Sequence, residues 1–110
     1  MFGMFKSMLG GSNEALTEAL RNGATIIDVR SPGEFAGGHV AGSRNIPLQQ
    51  IPDALSSLAT TQPIVFCCAS GGRSGQATDF ANAKGYTAVN GGPWTTVNNA
   101  IAELENGDKS

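Results

Sequence analysis

Two adjacent cysteines, Cys67 and Cys68, close the apolar run Pro63-Ile64-Val65-Phe66 and are followed by Ala69-Ser70-Gly71-Gly72-Arg73-Ser74. The apolar run has the length and character of a buried strand. The segment from about Ser74 to Lys84, closed by Gly85, reads as a helix. A thiol at that junction is placed for nucleophilic chemistry. Free backbone N–H groups of a loop and a first helical turn can converge on an anion. Gly71 and Gly72 let the backbone take positive φ and approach closely, and Arg73 adds a fixed positive charge. Helix N-termini and cationic neighbours lower a cysteine from about 8.5 to ~3.5–7.5. Cys68 can therefore be a thiolate at neutral pH without a histidine base, and His39 is the only histidine in the chain.

Most free cysteines are small buried hydrophobes. That reading suits Cys67, which belongs to the apolar run and points to the face opposite Cys68. It suits Cys68 poorly, because Ser-Gly-Gly-Arg-Ser directly afterwards is a poor way to finish a buried strand. A different enzyme class follows from counting at Cys67: Cys67-x5-Arg73-Ser74 fits the C-x5-R-[ST] pattern of cysteine phosphatases and arsenate reductases, which cradle a tetrahedral oxyanion. Against it, no loop aspartate stands ready as a general acid for a phosphate leaving group.

Strands and helices must alternate to hold this loop. Glu14 falls in the first turn of a helix capped by Ser12 or Asn13, Leu16, Ala19 and Leu20 form its apolar stripe, and Gly23 stops it. Residues 24–29 read as a buried β-branched strand, and Ser31-Pro32-Gly33 as a turn. Glu34 to Pro47 is expected to be an ordered loop with at most one helical turn. A helix over Ile51 to Leu58 starts at Pro52. Tyr86 to Val89 is a third short strand, Asn90-Gly91-Gly92-Pro93 turns the chain, and a last helix covers about Trp94 to Leu104. Continuous apolar strands alternating with helices indicate an α/β domain around a parallel sheet. The expected divisions are an apolar N-terminal arm at 1–11, a single domain at 12–104, and a polar tail at 105–110, frayed from Asn106.

Composition narrows the function. At 110 residues the chain suits one domain. Seven Lys/Arg against nine Asp/Glu are scattered, so no basic stripe exists for nucleic acid. No run is long enough to cross a bilayer, and the N-terminal segment lacks the features of a signal peptide. Neighbouring cysteines without a CxxC pattern or a histidine cluster argue against a disulfide framework and a zinc site. A reduced, cytoplasmic setting fits, with no metal or cofactor.

Three blocks in order resemble the single-domain branch of the rhodanese family. They are Ile27-Asp28-Val29-Arg30 with Glu34-Phe35, then Gly38-His39-Val40-Ala41-Gly42-Ser43-Arg44-Asn45-Ile46-Pro47-Leu48, then Pro63 through Ser74. The resemblance implies a three-layer α/β domain, with a central parallel sheet flanked by helices. It implies a thiosulfate sulfurtransferase that moves sulfane sulfur from a donor such as thiosulfate to cyanide or a thiol. Carried over, Cys68 is the nucleophile that holds the persulfide, Ala69, Ser70, Gly71, Gly72 and Arg73 form the substrate cradle, and Arg30 is a further substrate contact. Ala69 stands where many relatives carry a basic residue, which leaves less positive charge for a doubly charged donor. The partners are then a small anionic sulfur donor and a thiol or cyanide acceptor, with a protein sulfur acceptor as a further candidate. A sulfur-relay module without efficient free turnover is the alternative from a different class. Asp28, Glu34, His39 and Arg44 read as structural groups that shape or tie down the loops, and Trp94 as packing.

Overall fold

A parallel four-stranded sheet in the order β2-β1-β3-β4 forms the middle of the molecule. The computed structural model describes residues 14–109, so the N-terminal arm, the Ser12 or Asn13 cap and Ser110 lie outside the described residues. Helix α1 (residues 14–21) leads into β1 (Thr25–Asp28), followed by α2 (Pro32–Ala36) and β2 (Arg44–Asn45). Helix α3 (Ile51–Ala54) sits between two 3-10 turns, Leu48–Gln50 and Leu55–Ser57. Then come β3 (Ile64–Cys68), α4 (Gly72–Ala83), β4 (Ala88–Pro93) and α5 (Trp94–Lys109).

The pleat divides the core in two. Ile64, Phe66 and Cys68 point to one face, where they pack with Ile27, Ile51, Leu55, Ala77 and Ala81 under α3 and α4. Val65 and Cys67 point to the other, where Leu16, Ala19 and Val97 of α1 and α5 cover them. Every residue of β3 is buried, as expected for a central parallel strand covered on both sides. The architecture is the three-layer α/β domain with a central parallel sheet that the sequence indicates.

Several boundaries differ from the sequence reading. Ser31 is not simply part of a turn: its side chain accepts from the Glu34 amide while Glu34 reaches back to the Ser31 amide, and this capping box starts α2. Arg44 and Asn45, expected in a loop, form a short edge strand on β1. The segment Asn90 to Pro93 continues β4 rather than turning the chain. Its register on β3 jumps, with Phe66 opposite Asn90 and Cys67 opposite Gly92, so Gly91 is an extra bulge residue. Helix α5 runs past Leu104 to Lys109, so the polar residues expected to fray continue the helix.

The chain leaves β1 toward β2 on one side and β3 toward β4 on the other. Such divergence opens a crevice at the carboxyl ends of two neighbouring parallel strands, the usual ligand position in open α/β sheets. Asp28 pairs with Cys67 at this end, and Cys68 is the last residue of β3.

Candidate active site

Strand β3 delivers Cys68 to the foot of α4, and the intervening loop folds back over its sulfur. The turn depends on Gly71, the N-cap of α4, whose φ of 106° is in the left-handed region. In this conformation the Gly71 amide donates to Cys68 Sγ at 2.9 Å and the Ser74 amide at 3.4 Å. Ser74 Oγ lies 3.3 Å from the same sulfur. Cys68 is fully buried, yet it faces these donors.

Opposing effects act on the thiol. Burial pushes it up, but the Ser74 hydroxyl and the amides of Ser74, Gly71 and Ser70 pull it down, and the net direction is below an ordinary cysteine. Hydrogen bonds to the charged form are the physical cause. Cys67 is the contrast. Its burial, reinforced by the negative charge of Asp28, raises it to about 12. The loop thus serves Cys68, and the C-x5-R reading built on Cys67 has its sulfur on the wrong face of the sheet.

The expected cradle residues divide. Ser70 and Gly71 contribute amides to the sulfur. Ala69 is exposed, and Gly72 is the exposed first residue of α4 rather than a positive-φ loop glycine. Arg73 does not close the ring of donors. Its guanidinium forms a two-pronged pair with Glu34, Nη1 to Oε1 at 2.9 Å and Nη2 to Oε2 at 3.1 Å. Arg30 also turns to a carboxylate. Its Nε and Nη2 donate to Asp28, Nη2 donates to the Gly38 carbonyl, and its guanidinium stacks 5.2 Å from the centre of the Trp94 ring. With Asp28 fully buried and Arg30 nearly so, Arg30 neutralises an interior charge, and its removal would strand that carboxylate.

A family model described as "Rhodanese-like domain" matches residues 12–92. The chain belongs to the rhodanese-like domain family. Among curated relatives, an uncharacterized protein of Bacillus subtilis, YqhL, is 41% identical over 66 residues, covering 60% of this chain and 52% of its own. A thiosulfate sulfurtransferase, GlpE, of Stutzerimonas stutzeri is 35% identical over 72 residues, covering 64% of this chain and 66% of its own. The rhodanese-like chain thus spans between half and two thirds of the length of these relatives. The crystal structure of a rhodanese-like domain protein from Staphylococcus aureus is similar at a TM-score of 0.64 and 31% identity, over 74% of this chain and 86% of that one.

Two residues of this rhodanese-like site escape the sequence reading. The sequence reading gives Ser74 no contact with the sulfur and sets Asn90 in a turn. In the structure Ser74 Oγ donates to Asn90 Oδ1 at 2.7 Å, Asn90 Nδ2 donates to the Gly71 carbonyl at 3.2 Å, and the Gly92 amide donates to Asn90 Oδ1 at 2.9 Å. Asn90 therefore ties the loop between β3 and α4 to β4. Ser74 was visible as the last residue of the R-[ST] pattern; Asn90 carried no local signal. Glu34 and His39 hold the loop after β1 as expected, His39 through Nδ1 to the Phe35 carbonyl at 2.7 Å and a stacked Phe35 ring. Among the described residues, Arg44 has no side-chain partner. No helix among them is long and apolar enough to cross a membrane.

Proposed function

We propose that this rhodanese-like domain is a sulfurtransferase that carries sulfane sulfur as a persulfide on Cys68. The observation that carries the reading is the convergence of the Gly71 and Ser74 amides on Cys68 Sγ. Fixed donors at a strand's end stabilise a thiolate and, after transfer, the negative charge of a terminal persulfide sulfur. The reaction is two-step covalent catalysis. The Cys68 thiolate attacks the outer sulfur of thiosulfate, the S–S bond breaks, and sulfite leaves with its electron pair. Cyanide or a thiolate then attacks the outer sulfur of Cys68–S–S⁻ and restores the Cys68 thiolate. Both steps are displacements at sulfur and need no metal, cofactor or general base. Ser70 and Gly71 act through their amides, and Ser74 through its amide and hydroxyl. Arg30 supports the crevice through Asp28, while Ala69 and Gly72 keep the loop free of bulk.

Donor-only incubation followed by peptide mass spectrometry tests this. One added sulfur is expected on Cys68 and none on Cys67, and subsequent cyanide should release thiocyanate. Cys68→Ser should abolish both signals, while Cys67→Ser should retain them. Full turnover in Cys68→Ser would overturn the assignment, and hydrolysis of an aryl phosphate at a comparable rate would favour phosphatase chemistry. If sulfur loads onto Cys68 but leaves only for a protein thiol, the chain is a relay rather than a free-standing enzyme.

A further inference from the structure

The only cation the active loop carries is Arg73, and both ends of its fork are occupied by Glu34. Glu34 is itself held from the other side. The Ser31 amide and hydroxyl each lie 3.1 Å from the same Oε1 that meets Arg73, within the capping box that starts α2. These contacts keep the carboxylate ionised: Arg73 first and the Ser31 amide next hold it down at about 2. The second cation near this end of the sheet, Arg30, is neutralised by Asp28. Arg73 and Arg30 are therefore each matched by a carboxylate, and at Cys68 a donor meets amide dipoles, with the guanidinium of its own loop already paired.

From this we infer that Glu34 is a specificity-determining residue: by holding Arg73 in a two-pronged pair, it disfavours dianionic thiosulfate and biases the site toward uncharged or singly charged sulfane carriers, such as alkyl persulfides. The inference rests on the Cys68 persulfide reading. With an alkyl persulfide, the Cys68 thiolate attacks the terminal sulfur of R–S–SH. The S–S bond breaks, R–S⁻ departs, and Cys68–S–SH forms, with charge and electrons conserved. Thiosulfate delivers the same sulfur but brings two negative charges toward Cys68, whose charge Arg73 feels, and it must compete with the Glu34 carboxylate for that guanidinium. A doubly charged ligand feels a neighbouring carboxylate twice as strongly as a singly charged one does.

The test measures sulfur loading of Cys68 by intact mass, as a function of donor concentration, with thiosulfate and with hydroxyethyl persulfide. In Glu34→Gln the half-saturating thiosulfate concentration should fall about three- to tenfold, the scale of removing one charge several ångströms from a dianion in salt-screened water. The value for hydroxyethyl persulfide should stay within about twofold. Glu34→Gln combined with Arg73→Gln leaves the local net charge as in the native protein. If Arg73 is already sequestered, this double variant should load thiosulfate within about twofold of native. An unchanged thiosulfate value in Glu34→Gln, an equal gain for both donors, or a large loss in the double variant would each overturn the role of Glu34 while leaving the Cys68 reading intact. Native protein that loads from neither donor would overturn both.

Discussion

The Ser74 hydroxyl has one proton and three acceptors within reach: Asn90 Oδ1 at 2.7 Å, the Gly71 carbonyl at 3.2 Å and Cys68 Sγ at 3.3 Å. With Cys68 as a thiol, the S–H can point to Ser74 Oγ while the hydroxyl serves Asn90. With Cys68 as a thiolate, only the hydroxyl can bridge the pair, so its proton turns to sulfur and the Gly92 amide alone satisfies Asn90 Oδ1. Ser74→Ala removes that donor and leaves the sulfur with amides only. A hydrogen bond to a charged group is among the stronger ones, so losing it should raise the thiol. The pH profile of Cys68 alkylation by iodoacetamide reads this directly. In the native protein alkylation should climb with pH through a midpoint below about 8.5. In Ser74→Ala the midpoint moves upward and the rate at neutral pH falls. Asn90→Asp should shift it in the same direction, because a carboxylate holds the Ser74 proton more firmly and repels the thiolate. An unshifted profile in both variants would show that the amides alone set the thiol.

At the level of elements, the β4 bulge fixes where Asn90 and Gly92 meet the loop. A Cβ on Gly91 would lie 2.6 Å from Val97 Cγ2, 2.9 Å from Val65 Cγ1 and 3.1 Å from the Phe66 carbonyl oxygen. Val97 and Val65 are fully buried and stiff at χ1, so their methyls have little room to turn, and the Phe66 carbonyl can move only with β3. Gly91→Ala should therefore cost about 1–3 kcal/mol, lowering Tm by roughly 5–15 °C in a thermal melt. A melt within a degree or two of native would mean that β4 relaxes more freely than its packing suggests. This bulge was also where the sequence misled. Gly91-Gly92-Pro93 has the composition of a turn, and only the tertiary register shows it paired with Cys67 and Cys68. By contrast, β3 and the placement of both cysteines were legible, because a continuous apolar run ending in glycines admits few readings. The capping box of α2 was written in Ser31 and Glu34 but masked by Pro32-Gly33. The pair between Arg73 and Glu34 spans 39 positions, and no local pattern announces a contact of that range. The two-residue strand β2 is too short for any periodicity to show.

Across the whole molecule, two cores lie back to back on one sheet and receive one cysteine each. Their titrations bear oppositely on stability. Cys68, depressed in the folded state, adds stability that is fully present above its unfolded value and is lost as pH falls through its folded one. Cys67, raised to about 12, adds stability that is present below its unfolded value of about 8.5 and is lost as pH climbs toward 12. Denaturant unfolding at about pH 9 and about pH 11 should show a decline of up to ~1.4 kcal/mol per pH unit from this one group. Cys67→Ala should remove that share of the slope even though it is less stable at neutral pH. Equal alkaline slopes in the two proteins would show that Cys67 ionises in the folded state. The pleat of β3 thus works as a reading frame. Inserting or deleting one residue in the strand would turn its faces by one position, presenting the amides to a neighbouring side chain and interring the Cys68 sulfur among α1 and α5. Two atoms of the same element, one peptide bond apart, are kept distinct by nothing more than the parity of a strand.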